Sequence, residues 1–451
     1  MWSRASRLWT PPTSSSARML SKALAVLDED PDEAHSIAVD ILREDPNNVS
    51  ALFLCGVVYA RAERHGIALP MFERVTRLAP RKSEGWNNVG LCLQETGQFQ
   101  EAREAFKKAL ALEQRPNFMA NLAAAYNQEG NHVEALRWCK KALEKDPQNQ
   151  ARGTMAFAKL ATGDWSGWKD FDTTLGGRFR KEVKIGEEPR WDGQPTGDLF
   201  IYGEQGLGDE IMYASCLHEA TTRAEHVTLE CDGRLEGLFR RSFPAVEVHG
   251  TRRHERAWAK GREFRAGAAI GSLPAFFRPS IDDCPRVPYL VADPERRLQW
   301  KALFESWGKP VVGLCWTGGR HTTQKSKRAV GLEAFRPYIE ANKDKVFVSL
   351  QYNDATEEIK GTGLPVRHIH RAVQSPDYDD TASFVAELSG IVGVHTTVHH
   401  LAGALGVPST VLVPHKPMWN YAHGDRMPWY ASQVYHRQKE HEAWVDCVKR
   451  L

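Results

Sequence analysis

Several familiar signatures are missing from this sequence, and each absence narrows what it encodes. No stretch of about 18 apolar residues occurs, so no transmembrane helix is expected. Cysteine is scattered: eight residues from Cys55 to Cys447, with no C-x-x-C spacing. That pattern suits free thiols in a reducing, cytoplasmic setting and leaves no zinc or disulfide framework. Neither sign of charge dominates, with 59 Lys and Arg against 57 Asp and Glu. The composition therefore makes no global case for nucleic acid or an anionic membrane as partner. No G-K-[ST] or H-E-x-x-H motif is present, so P-loop and zinc-protease chemistry lack their carriers. What remains is a 451-residue chain, 42% hydrophobic and 26% charged, which fits a globular protein of roughly two to four domains. Its first stretch, MWSRASRLWTPPTSSSARML, is basic, Ser-rich and free of acids. It has the look of a transit peptide without the apolar core of a secretory signal. A disordered tail over residues 1–16 is the simpler expectation.

The first third of the chain repeats itself. Leu52 and Trp86, Gly56 and Gly90, Ala68 and Ala102, and Phe72 and Phe106 are each 34 residues apart. A period of 34 marks the helix–turn–helix solenoid of tetratricopeptide (TPR) repeats. The clearest unit starts at Trp86, where Gly90 lets two helices approach and Ala102, Phe106 and Ala109 knit neighbouring pairs. A following unit runs through Leu122, Tyr126, Ala135 and Ala142 to Pro147, and a weaker one ends in Ala34, Ala38 and Pro46. Three or four units over about 17–150 suffice to stack a continuous core. Such an array implies binding or scaffolding on a concave face and says nothing of chemistry.

After Gln150 the pattern changes. FAKLATGDWSGWKDFD reads as one more helix with an aromatic turn, Trp165 and Trp168 being expected on the solenoid end; EEPRWDGQPTGD has linker composition. Beyond it, the apolar segments DLFIYG, HVTLEC, PVVGLCW, KVFVSLQ, IVGVH and STVLVP alternate with helical ones. That alternation predicts parallel sheets with helices on both faces. The length allows two such units, and ligands of such folds bind at the carboxyl ends of strands.

Three strand ends carry chemistry. The turn GEQGLGD, Gly203–Asp209, lies between a buried strand and a helix. Its glycines permit positive φ and a close approach of ligand to backbone, although the turn is not G-x-G-x-x-G and Asp209 is equally a helix cap. The second segment, Gly313–Leu332, ends a strand at Trp316 and continues with Thr317, Arg320, His321, Lys325, Lys327 and Arg328. These cations suit a diphosphate, or they form a solvated basic loop. In the third, the strand IVGV delivers His395, Thr396 and Thr397 to the small-residue helix VHHLAGALG. Hydroxyls and free N–H groups there suit a phosphate, unless the threonines only cap the helix. His395 and His399, at i and i+4, lack a third ligand nearby, so no metal set is assigned.

Together these segments resemble bacterial TPR-linked glycosyltransferases akin to the ADP-heptose:lipopolysaccharide heptosyltransferases. The motifs EQGLGD, W-x-G with a later Arg, VSLQ, DTA and HLAGALGVP occur in that family's order, beside GDWSGWKDF, PRWDG and PYLVADPER. The resemblance implies a TPR solenoid followed by a GT-B pair of Rossmann-like domains. The expected layout is repeats over 17–150, a helical and aromatic linker over 151–194, an acceptor-side lobe over 195–300, a donor-side lobe over 301–435 and a C-terminal helix over 436–451 that packs back on the first lobe. It implies transfer from a nucleotide-sugar donor to an acceptor hydroxyl, inverting, with neither metal nor cofactor. Asp209 matches the family's general base. Gly206, Gly208, Thr317, Lys325, Lys327, Arg328, Gln351, His395, Thr396, Thr397 and His400 match donor-side positions. His395 stands where relatives carry Asp, and His399 where they carry Ala. His395-Thr396-Thr397 is also similar to the phosphate-binding helix start of O-GlcNAc transferase. Some phage-encoded TPR glycosyltransferases are similar at GLGDEIMYASCL and at endings like DRMPWY, Asp425–Tyr430. The acceptor stays open between protein, glycan and modified nucleobase, guided by the TPR concave face. A non-catalytic TPR scaffold with a nucleotide-binding lobe is the alternative. An epimerase is disfavoured, because no Tyr-x-x-x-Lys pair follows a strand.

Overall fold

The computed structural model describes residues 15–177, 180–252, 254–284, 286–318, 329–417, 419 and 424–451. The tail expected over 1–16 lies almost wholly outside them. The chain divides into two compact units, Met1–Ala158 and Lys159–Leu451.

In the first unit, helices pair in sequence: Ser15–Val26 with Pro31–Glu44, Val49–Arg61 with His65–Leu78, Ser83–Glu95 with Phe99–Leu112, and Pro116–Gln128 with His132–Lys145. The small residues Ala34, Ala38, Ala68, Ala102, Ala135 and Ala142 are fully buried. They allow helices to pack closely around one continuous core. Gly90 is needed there, since a Cβ on it would lie 2.6 Å from the Phe106 ring; Gly56 stands likewise against Phe72 at 2.8 Å. The turn inside a pair demands a left-handed residue, supplied by Gly97 and Gly130 and, in the preceding pair, by Glu63 at φ 59°. Asn121 Nδ2 donates to Asn87 Oδ1 at 2.8 Å, a buried bond spanning 34 residues.

The second unit holds two wholly parallel sheets. The first contains β1 (Thr196–Tyr202), β2 (Ala224–Glu230), β3 (Val246–His249) and β4 (Ala266–Ala269), in the order β3-β2-β1-β4. The second contains β5 (Val311–Cys315), β6 (Val346–Ser349), β7 (Val366–Arg367), β8 (Gly390–Val394), β9 (Ser409–Val413) and β10 (Gln433–Arg437), in the order β10-β9-β8-β5-β6-β7. Continuous apolar runs make the central strands because helices cover both faces. In each sheet the chain order reverses once, between β1 and β4 and between β5 and β8. Such switch points open crevices at the strands' carboxyl ends.

Helix Glu236–Ser242 and helix Tyr378–Ala386 join the two sheets through Arg241, whose Nη2 lies 2.6 Å from Asp379 Oδ2 and 3.3 Å from Asp293 Oδ2.

One packing expectation is corrected. The C-terminal segment opens as β10, and its helix is only Trp444–Val448. Trp444 and Val448 join the core of the second sheet, beside Leu332 and Phe335, rather than returning to the first sheet. Their i, i+4 spacing gives one apolar stripe, which the second sheet's face covers. Trp165 and Trp168 sit in an aromatic cluster of the second unit. Trp165 lies 5.1 Å from Trp429, and Trp168 meets Phe171, Tyr213, Trp419 and Trp429.

Candidate functional site

The turn after β1 is shaped by its own acids. Gly203, Gly206 and Gly208 do not adopt positive φ, so the conformational reason expected for them is corrected. What they make room for is protein. A Cβ at Gly203 would sit 2.5 Å from the Glu210 carboxyl carbon, and one at Gly208 would sit 3.1 Å from His400 Cδ2 and 3.3 Å from Thr397 Oγ1. Glu210 is fully buried, paired with Arg252, and accepts the Asp232 N–H at 2.9 Å. Glu204 is equally enclosed: its Oε1 accepts Arg180 Nε at 2.9 Å, while Arg180 also donates to Phe171 O and Ser272 Oγ. Removing one partner of such a buried pair costs about 3–5 kcal/mol. The turn is thus a rigid platform at the β1–β4 switch point. On it Asp209, half-buried, opens the helix Leu207–Tyr213, and its Oδ2 accepts the Gly206 N–H at 3.0 Å.

The facing elements come from the second sheet's switch point. β5 leads to Thr317 and Gly318, and β8 leads to His395 and Thr396. A Cβ at Gly318 would stand 2.3 Å from Thr396 Cγ2, so these two strand ends touch. Thr396 occupies the N-cap of helix Thr397–Leu405, yet its side chain makes no capping bond; its hydroxyl points to Cys315 Sγ at 3.8 Å. The cap explanation therefore does not account for Thr396. Gln351, just past β6, is buried, and its Oε1 has no hydrogen-bond partner among the described residues. A buried, unsatisfied amide oxygen is a ready acceptor for a ligand's donor. Lys325, Lys327 and Arg328, with Arg320 and His321, lie outside the described residues.

A directed chain of side chains links the two lobes. His395 Nε2 meets His400 Nε2 at 2.8 Å, His400 Nδ1 meets Tyr430 Oη at 3.2 Å, and Tyr430 meets Tyr289 at 3.3 Å. Tyr289 donates its only proton to Ile211 O at 2.8 Å. Its contact with Tyr430 is therefore donated by Tyr430, and the Tyr430 oxygen accepts His400 Nδ1–H. His400 Nε2 then carries the lone pair, and the His395 proton sits on Nε2. Burial pushes His400 down to about 3, with His399 adding to the effect, and pushes His399 down to about 4. Both rings are neutral near pH 7. His399 Nδ1 faces Cys315 Sγ at 3.6 Å, so the i, i+4 rings of His395 and His399 turn to different partners.

The structure therefore brings together Gly208, Thr397 and His400 across the two sheets, and Thr317, Gly318, His395 and Thr396 at one switch point. Gln351 lies just past the neighbouring strand β6. The sequence reading missed Tyr289 and Tyr430 as members of this chain, although both lie in the segments PYLVADPER and DRMPWY that it singled out. Arg180 was invisible, since nothing local marks the partner of a buried acid.

Within this frame, residues 59–117 and 93–150 match the tetratricopeptide repeat family model. The N-terminal region is a TPR solenoid and the C-terminal region consists of parallel sheets and helices. Over 439 residues the chain is 28% identical to Protein FlbA of Caulobacter vibrioides, covering 90% of this chain and 72% of that protein. It is 30% identical over 176 residues to a DnaJ protein P58IPK homolog of Arabidopsis thaliana, spanning 36% of that protein's length. A 136-residue match at 26% identity, 29% of this chain, reaches the protein O-mannosyl-transferase TMTC1 of Mus musculus but covers only 14% of it. Among solved structures, the crystal structure of MamA aligns at a TM-score of 0.31 and 22% identity, over 34% of this chain and 91% of that one.

Proposed function

We propose that the chain is a glycosyltransferase of GT-B architecture. In this reading it moves a sugar from a nucleotide-sugar donor to an acceptor hydroxyl, inverting and without a metal in the chemical step. The observation that carries the reading is the contact of Gly208 with Thr397 and His400. It holds the Asp209 turn of one parallel sheet against the start of helix Thr397–Leu405 at the switch point of the other. Asp209 takes the acceptor proton, a contribution of about 10²–10⁴-fold. The Thr396–Thr397 helix start and the loop Thr317–Arg328 stabilise the leaving diphosphate. Gln351 meets the nucleotide side, and His395 hydrogen-bonds the donor. The TPR array presents the acceptor. The partial likeness to an O-mannosyl-transferase agrees in reaction class. A mass-spectrometric screen of sugar nucleotides for hydrolysis and transfer, with Asp209→Asn as control, tests the assignment; no turnover of any donor by the unmodified chain counts against it.

One observation favours a second reading, a TPR scaffold that binds a nucleotide and transfers nothing. Asp209 already accepts the Gly206 N–H, as a purely structural acid would. Calorimetry with UDP, ADP and GDP separates the two: a scaffold binds one of them without hydrolysing any donor.

A further inference from the structure

Outside the β5–β8 junction, the turns after β6 and β7 gather a second set of polar side chains. Among the described residues, Asp354, His368 and His370 form the one group of three whose ligand atoms all lie within 4.8 Å of one another. Asp354 stands between β6 and helix Thr356–Thr362, His368 directly follows β7, and His370 opens the next helical turn. His368 Nε2 is 3.9 Å and His370 Nε2 is 4.0 Å from Asp354 Oδ1.

Two features separate this set from a chance surface cluster. The His368 side chain is only 4% exposed, and neither of its ring nitrogens has a hydrogen-bond partner among the described residues. A buried imidazole without partners is destabilising unless something occupies its lone pair. His370 is oriented for the same task. Its Nδ1 lies 3.0 Å from Gln374 Oε1; an amide oxygen only accepts, so Nδ1 carries the proton and Nε2 turns its lone pair to the cluster. That is how outer-shell bonds fix a metal-ligating histidine. The Asp354 carboxylate accepts from Thr356 N and Oγ1 at 2.9 and 2.6 Å, which fixes its orientation.

We propose that Asp354, His368 and His370 bind one divalent ion of the zinc type, with the remaining coordination taken by water. Two imidazoles and a carboxylate are the donor set such ions prefer. Tetrahedral zinc places ligand atoms roughly 3.3 Å apart, so the three side chains close in by about half an ångström each. The ion clips the β6 turn to the two-residue edge strand β7, three residues beyond Gln351. The site is independent of the transferase reading.

The test uses the full chain, stripped with chelator and dialysed against Zn²⁺, with Co²⁺ absorption as a second probe. His370 and Asp354 are exposed, so His370→Ala and Asp354→Asn leave the fold intact, as circular dichroism checks. The expected result is one tightly held Zn²⁺ per chain, weakened at least tenfold in each variant, and visible Co²⁺ bands that both variants lose. No stoichiometric binding, or unchanged Zn²⁺ affinity in either variant, overturns the site.

Discussion

Asp209 answers to two demands, the Gly206 N–H it accepts and the acceptor hydroxyl it is proposed to deprotonate, and one substitution separates them. Asn retains an acceptor oxygen and caps about as well as Asp, but it is no base. Asp209→Asn should keep folding and nucleoside diphosphate affinity while lowering transfer by roughly 10²-fold or more. Single-turnover kinetics with the identified donor checks this, and unchanged transfer refutes the base. The buried rings make a second residue-scale prediction. His399 has its folded pKa depressed to about 4 by burial, so its contribution is present above its unfolded value near 6.5 and is lost as pH falls through 4. By pH 5 the loss is about 2 kcal/mol. His399 Nδ1 faces Cys315 Sγ rather than a carboxylate, and burial is what lowers the ring's pKa. In urea titrations at pH 7.5 and 5, His399→Leu should flatten this decline; a parallel decline in both proteins would place the acid sensitivity elsewhere.

At the scale of elements, the pairing of helix Leu207–Tyr213 with helix Thr397–Leu405 depends on the missing side chain at position 208. Gly208→Ala would press a methyl on His400 Cδ2, Thr397 Oγ1 and the Thr397 backbone, all within 3.4 Å. Overpacking of this kind costs about 1–3 kcal/mol. The expected outcome is a lower melting temperature together with lost transfer; a fully stable and active variant would mean the two helices part freely. Elements also show what the sequence discloses and what it hides. β1, β2, β5, β6, β8 and β9 were legible because each is an apolar run. β4, with the sequence Ala-Gly-Ala-Ala, and the two-residue β7 carry no such signal and are strands only because a neighbour supplies hydrogen bonds. The strand-end positions of Asp209, Thr317 and His395 were readable for the same reason the central strands were. The glycines of the β1 turn were noticed, but their cause was not, since Glu210 and His400 reach them only through the tertiary fold.

For the whole molecule, the division into two compact units predicts separable responses to ligand. A nucleoside diphosphate that binds the second unit stabilises it by about 2.7 kcal/mol at 100 times its Kd. In scanning calorimetry one transition should move upward while the solenoid's stays in place. A shift of both by the same amount would show that the units melt as one.

The Gly–Phe contact of the solenoid is a paired choice that the chain records four times. Two repeats hold glycine opposite phenylalanine, Gly56 with Phe72 and Gly90 with Phe106. Counting outward by the helix offsets, 34 residues back and 33 forward, the flanking repeats have Lys22 with Ala38 and Ala123 with Cys139; where the ring is gone, the glycine is gone too. Within a single molecule, then, the two positions behave as coupled letters rather than independent ones. Gly90→Ala alone should cost about 1–3 kcal/mol, and much less once Phe106 is already Leu. The difference is an interaction energy that urea titration of the four proteins of a double-mutant cycle would measure.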